Sequence, residues 1–108
     1  MAESTLLALE AAFPEVVAQM GEFFDSHDFV LKLAHAQQRL YVAALAAVDS
    51  DHPFQIVHRE ISRRLLTHPE LVSRIGERSS RDIFGQKSSA TVWCKVERPQ
   101  RRSNAKKR

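Results

Sequence analysis

Apolar residues recur at every third or fourth position along most of the chain up to residue 75, which is the spacing of amphipathic helices. The longest such segment is 27–48, and shorter segments cover residues 5–13, 14–24, 54–66 and 70–78. We therefore predict four or five helices that surround one small core.

Polar residues and prolines precede these segments at positions that favour helix starts. Pro14 and Pro69 suit a first helical turn, because the missing N–H is not needed there. Side chains that can accept hydrogen bonds from first-turn amides also stand before the helices. We expect capping by Ser4, by Asp25 or Ser26, and by Asp51.

The pattern changes after residue 82. Residues 90–96 alternate and are rich in β-branched and aromatic side chains, which predicts a strand. We expect its apolar face to carry Val92, Cys94 and Val96. Ile83 and Phe84 are the predicted hairpin partner. The predicted fold class is therefore mainly α, with a short C-terminal β-hairpin or strand packed by Trp93.

The apolar faces of the predicted elements also define a core. We expect burial of Phe23, Phe29, Leu33, Leu40, Tyr41, Leu45, Phe54, Val57, Ile61, Leu65, Leu71, Ile75 and Phe84. With 108 residues, of which 44% are hydrophobic, the chain suffices for one domain. We assign residues 1–97 to this domain.

Charge is unevenly distributed along the chain. Residues 1–53 contain two basic and eight acidic side chains, whereas residues 54–108 contain fourteen basic and five acidic ones. Six of those bases lie in the last eleven residues, 98–108, which contain no acid and almost no apolar residue. We predict that this segment is a disordered basic tail. A polyanionic partner would meet the C-terminal half first.

The order of elements from residue 27 to 96 resembles a winged helix-turn-helix domain. A long helix precedes two short ones, 54–66 and 70–78, which a three-residue turn connects, and a hairpin follows. The resemblance implies that 70–78 is a recognition helix that exposes Ser73 and Arg74. Further residues implied to meet phosphates or guanine edges are Arg78, Ser79, Ser80 and Arg81. Short helices with exposed arginines also occur in helical domains that bind no DNA.

The basic tail is a second candidate for nucleic-acid binding. Its positive side chains are Arg98, Arg101, Arg102, Lys106, Lys107 and Arg108. Such a flexible segment can displace counterions from nucleic acid and bind it in a salt-sensitive manner. The alternative is a terminus that only increases solubility.

Catalytic and metal-binding chemistry have little support. Of the five histidines, no two stand three or four residues apart, the spacing that places two ligands on one helix face. Cys94 is the only cysteine, and its predicted strand position is apolar, where a thiol is inert. The sequence contains only three glycines and no phosphate-loop or nucleophile motif. We expect no enzymatic activity, no metal and no cofactor.

The acidic N-terminal half offers an alternative function. Leu6, Leu7, Leu9 and Phe13 lie on a short helix that could pack on its own domain, on a second copy or on another protein. The leading hypothesis is a small non-enzymatic nucleic-acid-binding module, and the alternative is a protein-interaction or homodimerisation domain. Without a signal peptide, a long apolar span or a lipidation motif, we expect a cytoplasmic protein, or a nuclear one in a eukaryote, with no membrane partner.

Overall fold

A computed structural model describes residues 2–96, which form five helices and one three-stranded antiparallel sheet. The helices are α1 (Ala2–Glu10), α2 (Phe13–Gln19), α3 (Ser26–Ala36), α4 (Gln38–Ala47) and α5 (Pro53–Leu65). The strands are β1 (Phe23–Asp25), β2 (Val72–Arg81) and β3 (Lys87–Lys95), in the order β1-β3-β2. The mainly α prediction is supported in this coarse form. The predicted tail, 98–108, lies outside the described residues.

The first two helices are shorter or placed earlier than their sequence patterns suggest. The predicted cap Ser4 is wrong, because α1 begins at Ala2 and Ser4 lies within it. The predicted helix 14–24 ends at Gln19, since Met20 has extended backbone angles. Residues 23–25 instead pair with β3, where Phe24 lies opposite Trp93.

The predicted long helix 27–48 is two helices that meet at Gln37, whose φ of −131° and ψ of 59° are not helical. This break redirects α4 so that it packs against α1 and α5. The predicted cap at the start of α3 is confirmed. Asp25 Oδ1 accepts from the Asp28 amide at 2.9 Å, and Asp28 Oδ2 accepts from the Asp25 amide at 3.0 Å.

Helix α5 buries one stripe of apolar residues, Val57, Ile61 and Leu65, against the core. Its predicted cap, Asp51, is wrong: His52 occupies that position and makes no side-chain cap, while its amide donates to Ser50 Oγ. On the same buried side of the helix, Arg64 is almost fully buried and donates to carboxylates of α1. These contacts hold α1 against α5, so the N-terminal helix packs on its own domain.

The predicted recognition helix, residues 70–78, is wrong. The chain from Val72 to Arg81 is a strand that pairs with β3 along its whole length. Gly76 and three serines make this segment a poor helix former, and the ladder with β3 satisfies its backbone groups instead. Because α5 is followed by a strand, residues 2–96 contain no helix-turn-helix at this position. The predicted partner of β3, Ile83–Phe84, lies in the hairpin loop.

The buried face of β3 is the opposite of the predicted one. Trp93 is 1% exposed, and its Nε1 donates to Ser26 Oγ at 3.0 Å, whereas Val92, Cys94 and Val96 are only partly buried. Most predicted core residues are buried, with Leu40 and Leu45 partly so. The predictions of burial are wrong for Phe23, Phe54, Ile75 and Phe84. They lie at the sheet edge, at a bulge or near the hairpin loop, where the helices do not cover them. Among the described residues, no helix is long and apolar enough to cross a bilayer.

His68 links the turn after α5 to α1. Its Nε2 lies 2.6 Å from Glu10 Oε2, and its Nδ1 lies 3.0 Å from Glu70 Oε2. Burial lowers the pKa of His68, but the hydrogen bonds and charges of the two glutamates outweigh this effect and raise the pKa above its usual value of 6.5. The protonated imidazole therefore stabilises the fold at low pH.

We expect the stabilisation by His68 to be complete below pH 6.5 and to disappear as the pH rises through the higher pKa of the folded state. His68→Gln should therefore lower the free energy of unfolding by about 1 kcal/mol at pH 6 and by less at pH 9. Urea denaturation at the two pH values measures this difference. His35→Gln, at an exposed position of α3, is the control. An equal loss at both pH values would contradict the predicted linkage.

Candidate nucleic-acid interface

Strands β2 and β3 form a long two-stranded ribbon. β1 pairs with β3 only from Val92 to Cys94, so the distal part of the ribbon extends beyond the third strand. Ile75 is an extra residue between the paired Arg74 and Gly76, and this bulge bends β2 near its start. The ribbon ends in the loop 82–86.

The ribbon is the basic part of the described structure. Residues 72–95 contain five basic and two acidic side chains, whereas residues 2–71 contain five basic and ten acidic ones. The acidic excess of the sequence therefore lies in the part that contains the helices, and the basic excess lies in the ribbon. The formal net charge is +3 for residues 72–95 (5 − 2) and −5 for residues 2–71 (5 − 10).

The structure does not gather the predicted arginines on one surface. Arg78 donates from Nε and Nη2 to Asp25 Oδ2 at 3.1 and 3.0 Å, and Arg74 Nη2 donates to Glu77 at 3.2 Å. Both guanidinium groups are therefore paired with carboxylates. Arg78 also lies on the opposite face of the ribbon from Arg81, because they stand three residues apart in a regular strand.

The predicted serines are likewise divided between environments. Ser80 donates to Asp25 Oδ2 at 2.7 Å and so belongs to the same cluster as Arg78. Ser73 is exposed near the base of the ribbon, opposite Cys94. Ser79 lies opposite Ser89 in the distal half. The predicted tail bases, 98–108, lie outside the described residues.

A cleft of about 350 Å³ separates the distal ribbon from α3 and α5. The ribbon face that carries Trp93 also carries Thr91, Ser89 and Lys87, because these residues alternate along β3. We call this side the cleft face, although Lys87 and its register partner Arg81, at its distal end, are not among the residues that line the cleft. The cleft is lined by Ser26, His27, Val30, Gln55, His58, Arg59, Ser62, Glu77, Asp82, Ser88, Ser89, Ala90 and Thr91.

Two positive side chains stand directly opposite each other on the cleft face. Arg81 and Lys87 are register partners at the distal end of the ribbon. Like charges in this position repel each other, which lowers the stability of a sheet. Arg81 donates to the Gly85 carbonyl at 2.8 Å, a bond that leaves its charge unneutralised. Lys87 has no hydrogen bond or ion pair within residues 2–96. An anion between these two cations would relieve the repulsion.

The two acidic side chains that line the cleft, Glu77 and Asp82, already form hydrogen bonds or ion pairs. Asp82 Oδ1 accepts from the amides of Phe84 and Gln86 at 3.0 and 2.9 Å, and these bonds lower the pKa of Asp82 although burial opposes them. Glu77 pairs with Arg74. In contrast, Arg59 of α5 makes no hydrogen bond or ion pair within the described part of the chain. Arg59 therefore adds a positive charge to the described lining of the cleft, where both acids already have partners.

Aromatic rings lie next to this positive charge, at the loop end of the cleft. The centroids of Phe54 and Phe84 are 4.8 Å apart with their planes at 78°, and His58 packs against both. Burial lowers the pKa of His58, nearby His27 lowers it further, and Asp82 opposes the change, so the neutral form of His58 is favoured. Tyr41 Oη lies 2.5 Å from His58 Nε2 and holds the ring in place.

Arg59, Lys87 and the two phenylalanines were not predicted from the sequence to belong to a site. The available signal was the pair of bases Arg81 and Lys87 that flank the turn-forming segment 82–86, since residues on either side of a hairpin loop face each other. The position of Arg59 across the cleft depends on tertiary packing and has no local signal.

No family model, curated protein or solved structure matches this chain. Among residues 2–96, no group of three or more His, Cys, Asp or Glu side chains is arranged to hold a metal ion.

Proposed function

We propose that this chain is a small non-enzymatic nucleic-acid-binding protein, with the cleft face of the ribbon in the role first assigned to a recognition helix. The observation that carries the proposal is the pair Arg81 and Lys87, two positive side chains directly opposite each other at the distal end of the ribbon. A phosphate between them would replace their repulsion by two charge-assisted contacts.

Neighbouring groups support a nucleic-acid backbone as the anion. Ser79 and Ser89 are register partners one step along the same face from Arg81 and Lys87, and they make no side-chain hydrogen bond within the described residues. Hydroxyl groups beside bases are typical donors to phosphate oxygens. Arg59, across the cleft, provides a third unpaired charge. The arrangement suits successive phosphates along a strand.

The basic tail contributes a second, sequence-independent attraction in this proposal. Residues 98–108 follow β3 in the chain and contain six positive side chains. They would increase affinity at low salt without positioning the ligand. Substitutions in the cleft face and in the tail should therefore affect binding differently, and an experiment can separate the two contributions.

The double substitution Arg81→Ala/Lys87→Ala should weaken binding of a labelled oligonucleotide about tenfold at 50 mM salt, which corresponds to about 0.7 kcal/mol for each exposed contact. It should also reduce the slope of log K against log salt by about 2, because two phosphate contacts are lost. Fluorescence anisotropy between 50 and 200 mM salt measures both quantities.

The matched control is Lys32→Ala/Arg39→Ala, which removes two exposed bases from the helical layer and should leave affinity nearly unchanged. A full-length variant with all six tail bases changed to Gln separates the two contributions. Its binding should weaken but still respond to the Arg81/Lys87 substitution. The proposal is rejected if the intact chain does not bind at 50 mM salt, or if the control loses as much affinity as the cleft variant.

A protein partner is the alternative proposal, and the free edge of β2 favours it. Within the described sheet, β2 pairs on one side only, over ten residues, and Ile75 on that strand is exposed. Such an edge can accept another strand or a second copy of the chain. The bulge at Ile75 and the arginines on β2 oppose this pairing, since both features protect edges in natural sheets. Light scattering across a concentration series would reveal a homodimer.

A further inference from the structure

The loop end of the cleft carries an exposed aromatic surface that phosphate binding does not require. Phe84 is 57% exposed and Phe54 is 40% exposed, although the rings contact each other and His58. Exposed aromatic rings are the groups on which unpaired bases stack. We infer that the nucleic acid bound at the cleft face is single-stranded and that one of its bases stacks on Phe84; this inference rests on the proposed function.

The loop holds Phe84 in a fixed position. Asp82 Oδ1 accepts from the amides of Phe84 and Gln86, and the amide of Gly85 donates to the Asp82 carbonyl at 2.9 Å. Gly85 has a φ of +84°, a conformation that glycine adopts without strain and that closes the turn. The ring is thus presented to a ligand with little loss of conformational entropy on binding.

The supporting side of the aromatic cluster is anchored to the core. His58 contacts both phenylalanine rings from α5, and its Nε2 lies 2.5 Å from Tyr41 Oη on α4. Tyr41 itself is buried. The exposed rings therefore rest on a rigid base and do not need a covering protein chain to stay in place.

The position of the ring relative to the cations favours an unpaired strand. Arg81 and Lys87 border the loop at either end, so phosphate contacts would lie close to Phe84 along the chain. Single-strand binding proteins combine such a cationic track with stacking platforms. In a duplex the faces of internal bases are covered by their neighbours in the stack, so an aromatic surface next to phosphates gains little.

The test compares a labelled unpaired 12-mer with the same sequence as a duplex, at 50 mM salt, on the full-length chain. The unpaired strand should bind at least about tenfold more tightly. Phe84→Leu keeps an apolar contact with Phe54 but removes the aromatic face, and it should reduce affinity for the single strand about tenfold while duplex affinity stays the same. Phe84→Trp should restore single-strand binding.

Phe23→Leu is the matched control, because Phe23 is a similarly exposed phenylalanine on β1, away from the loop. Circular dichroism on all variants verifies folding. Equal affinity for the two forms, together with unchanged binding by Phe84→Leu, would overturn the single-strand inference and leave the proposed function standing. Absence of binding to either form would overturn both. Loss of single-strand affinity in Phe84→Leu but not in Phe23→Leu supports the inference.

Discussion

Asp25→Ala is expected to lower the free energy of unfolding by about 3 kcal/mol, the largest loss of the substitutions considered. The Asp25 carboxylate is fully buried between β1 and α3 and accepts hydrogen bonds from the Asp28 amide, Arg78 and Ser80. Loss of the cap alone costs about 1 kcal/mol, and loss of bonds to a buried charge adds about 2 kcal/mol. Urea denaturation followed by circular dichroism measures the change.

Asp25→Asn separates the cap from the charge. Asparagine caps helices about as well as aspartate but carries no charge, so this variant should lose about 2 kcal/mol, which is about two-thirds of the loss expected for Asp25→Ala. A loss as large as that of Asp25→Ala would contradict the expected contribution of the cap.

The effect of Asp25 also depends on pH. Burial raises the pKa of Asp25, but the bonds from Ser80, the Asp28 amide and Arg78 outweigh burial and lower it below its usual value of 3.8. A lowered carboxyl pKa stabilises the fold above that value and loses its effect as the pH falls through the folded-state pKa. The difference between the wild type and Asp25→Asn should therefore shrink as the pH falls below 3.8.

Arg64→Ala is expected to lower the free energy of unfolding by about 2–3 kcal/mol. The Arg64 side chain is 10% exposed, and it donates to Glu10 Oε1 at 2.7 Å and to both oxygens of Glu3 at 3.0 Å. Without the guanidinium, His68 is the one remaining hydrogen-bond partner of the partly buried Glu10 carboxylate within residues 2–96. The same urea titration measures the loss, and proteolysis near the N-terminus should become faster if α1 detaches.

Arg63→Ala is the matched control for Arg64→Ala. Arg63 directly precedes Arg64 in α5 and forms an exposed ion pair with Glu60. Exposed pairs contribute little to stability, so no measurable change is expected. Arg64→Lys tests the geometry, because a lysine cannot reproduce the forked contact with two glutamates. Full stability in Arg64→Lys would mean that charge alone suffices.

Local patterns predicted the elements whose signals are contained within a few residues. The helical stripe Val57, Ile61 and Leu65 is present as expected, and so is the cap at Asp25, one of the two predicted alternatives. The strand at 90–96 was also recognised, because its alternation is local. These features need no information about distant parts of the chain.

The errors arose where distant partners decide the structure. Residues 72–81 have no strong alternation, and only pairing with β3 makes them a strand. The break at Gln37 interrupts a continuous helical pattern, because α4 must reach α1 and α5. The same cause hid the candidate site: Arg59 lies on α5, far in sequence from Ser89 and Thr91 of β3, and these residues line one cleft only in the folded chain. A site built on a hairpin cannot be found until the hairpin is placed.

The topology of the sheet has a consequence for synthesis of the chain. Ser26, at the start of α3, accepts its hydrogen bond from Trp93, a residue 67 positions later, and β1 has β3 as its pairing strand in the described sheet. During synthesis, the segments of all five helices are therefore complete before Trp93, whose indole packs in their core, has been added to the chain. Such long-range closure is slow. Products that terminate before β3 would expose apolar surface, so quality-control proteases should remove them efficiently.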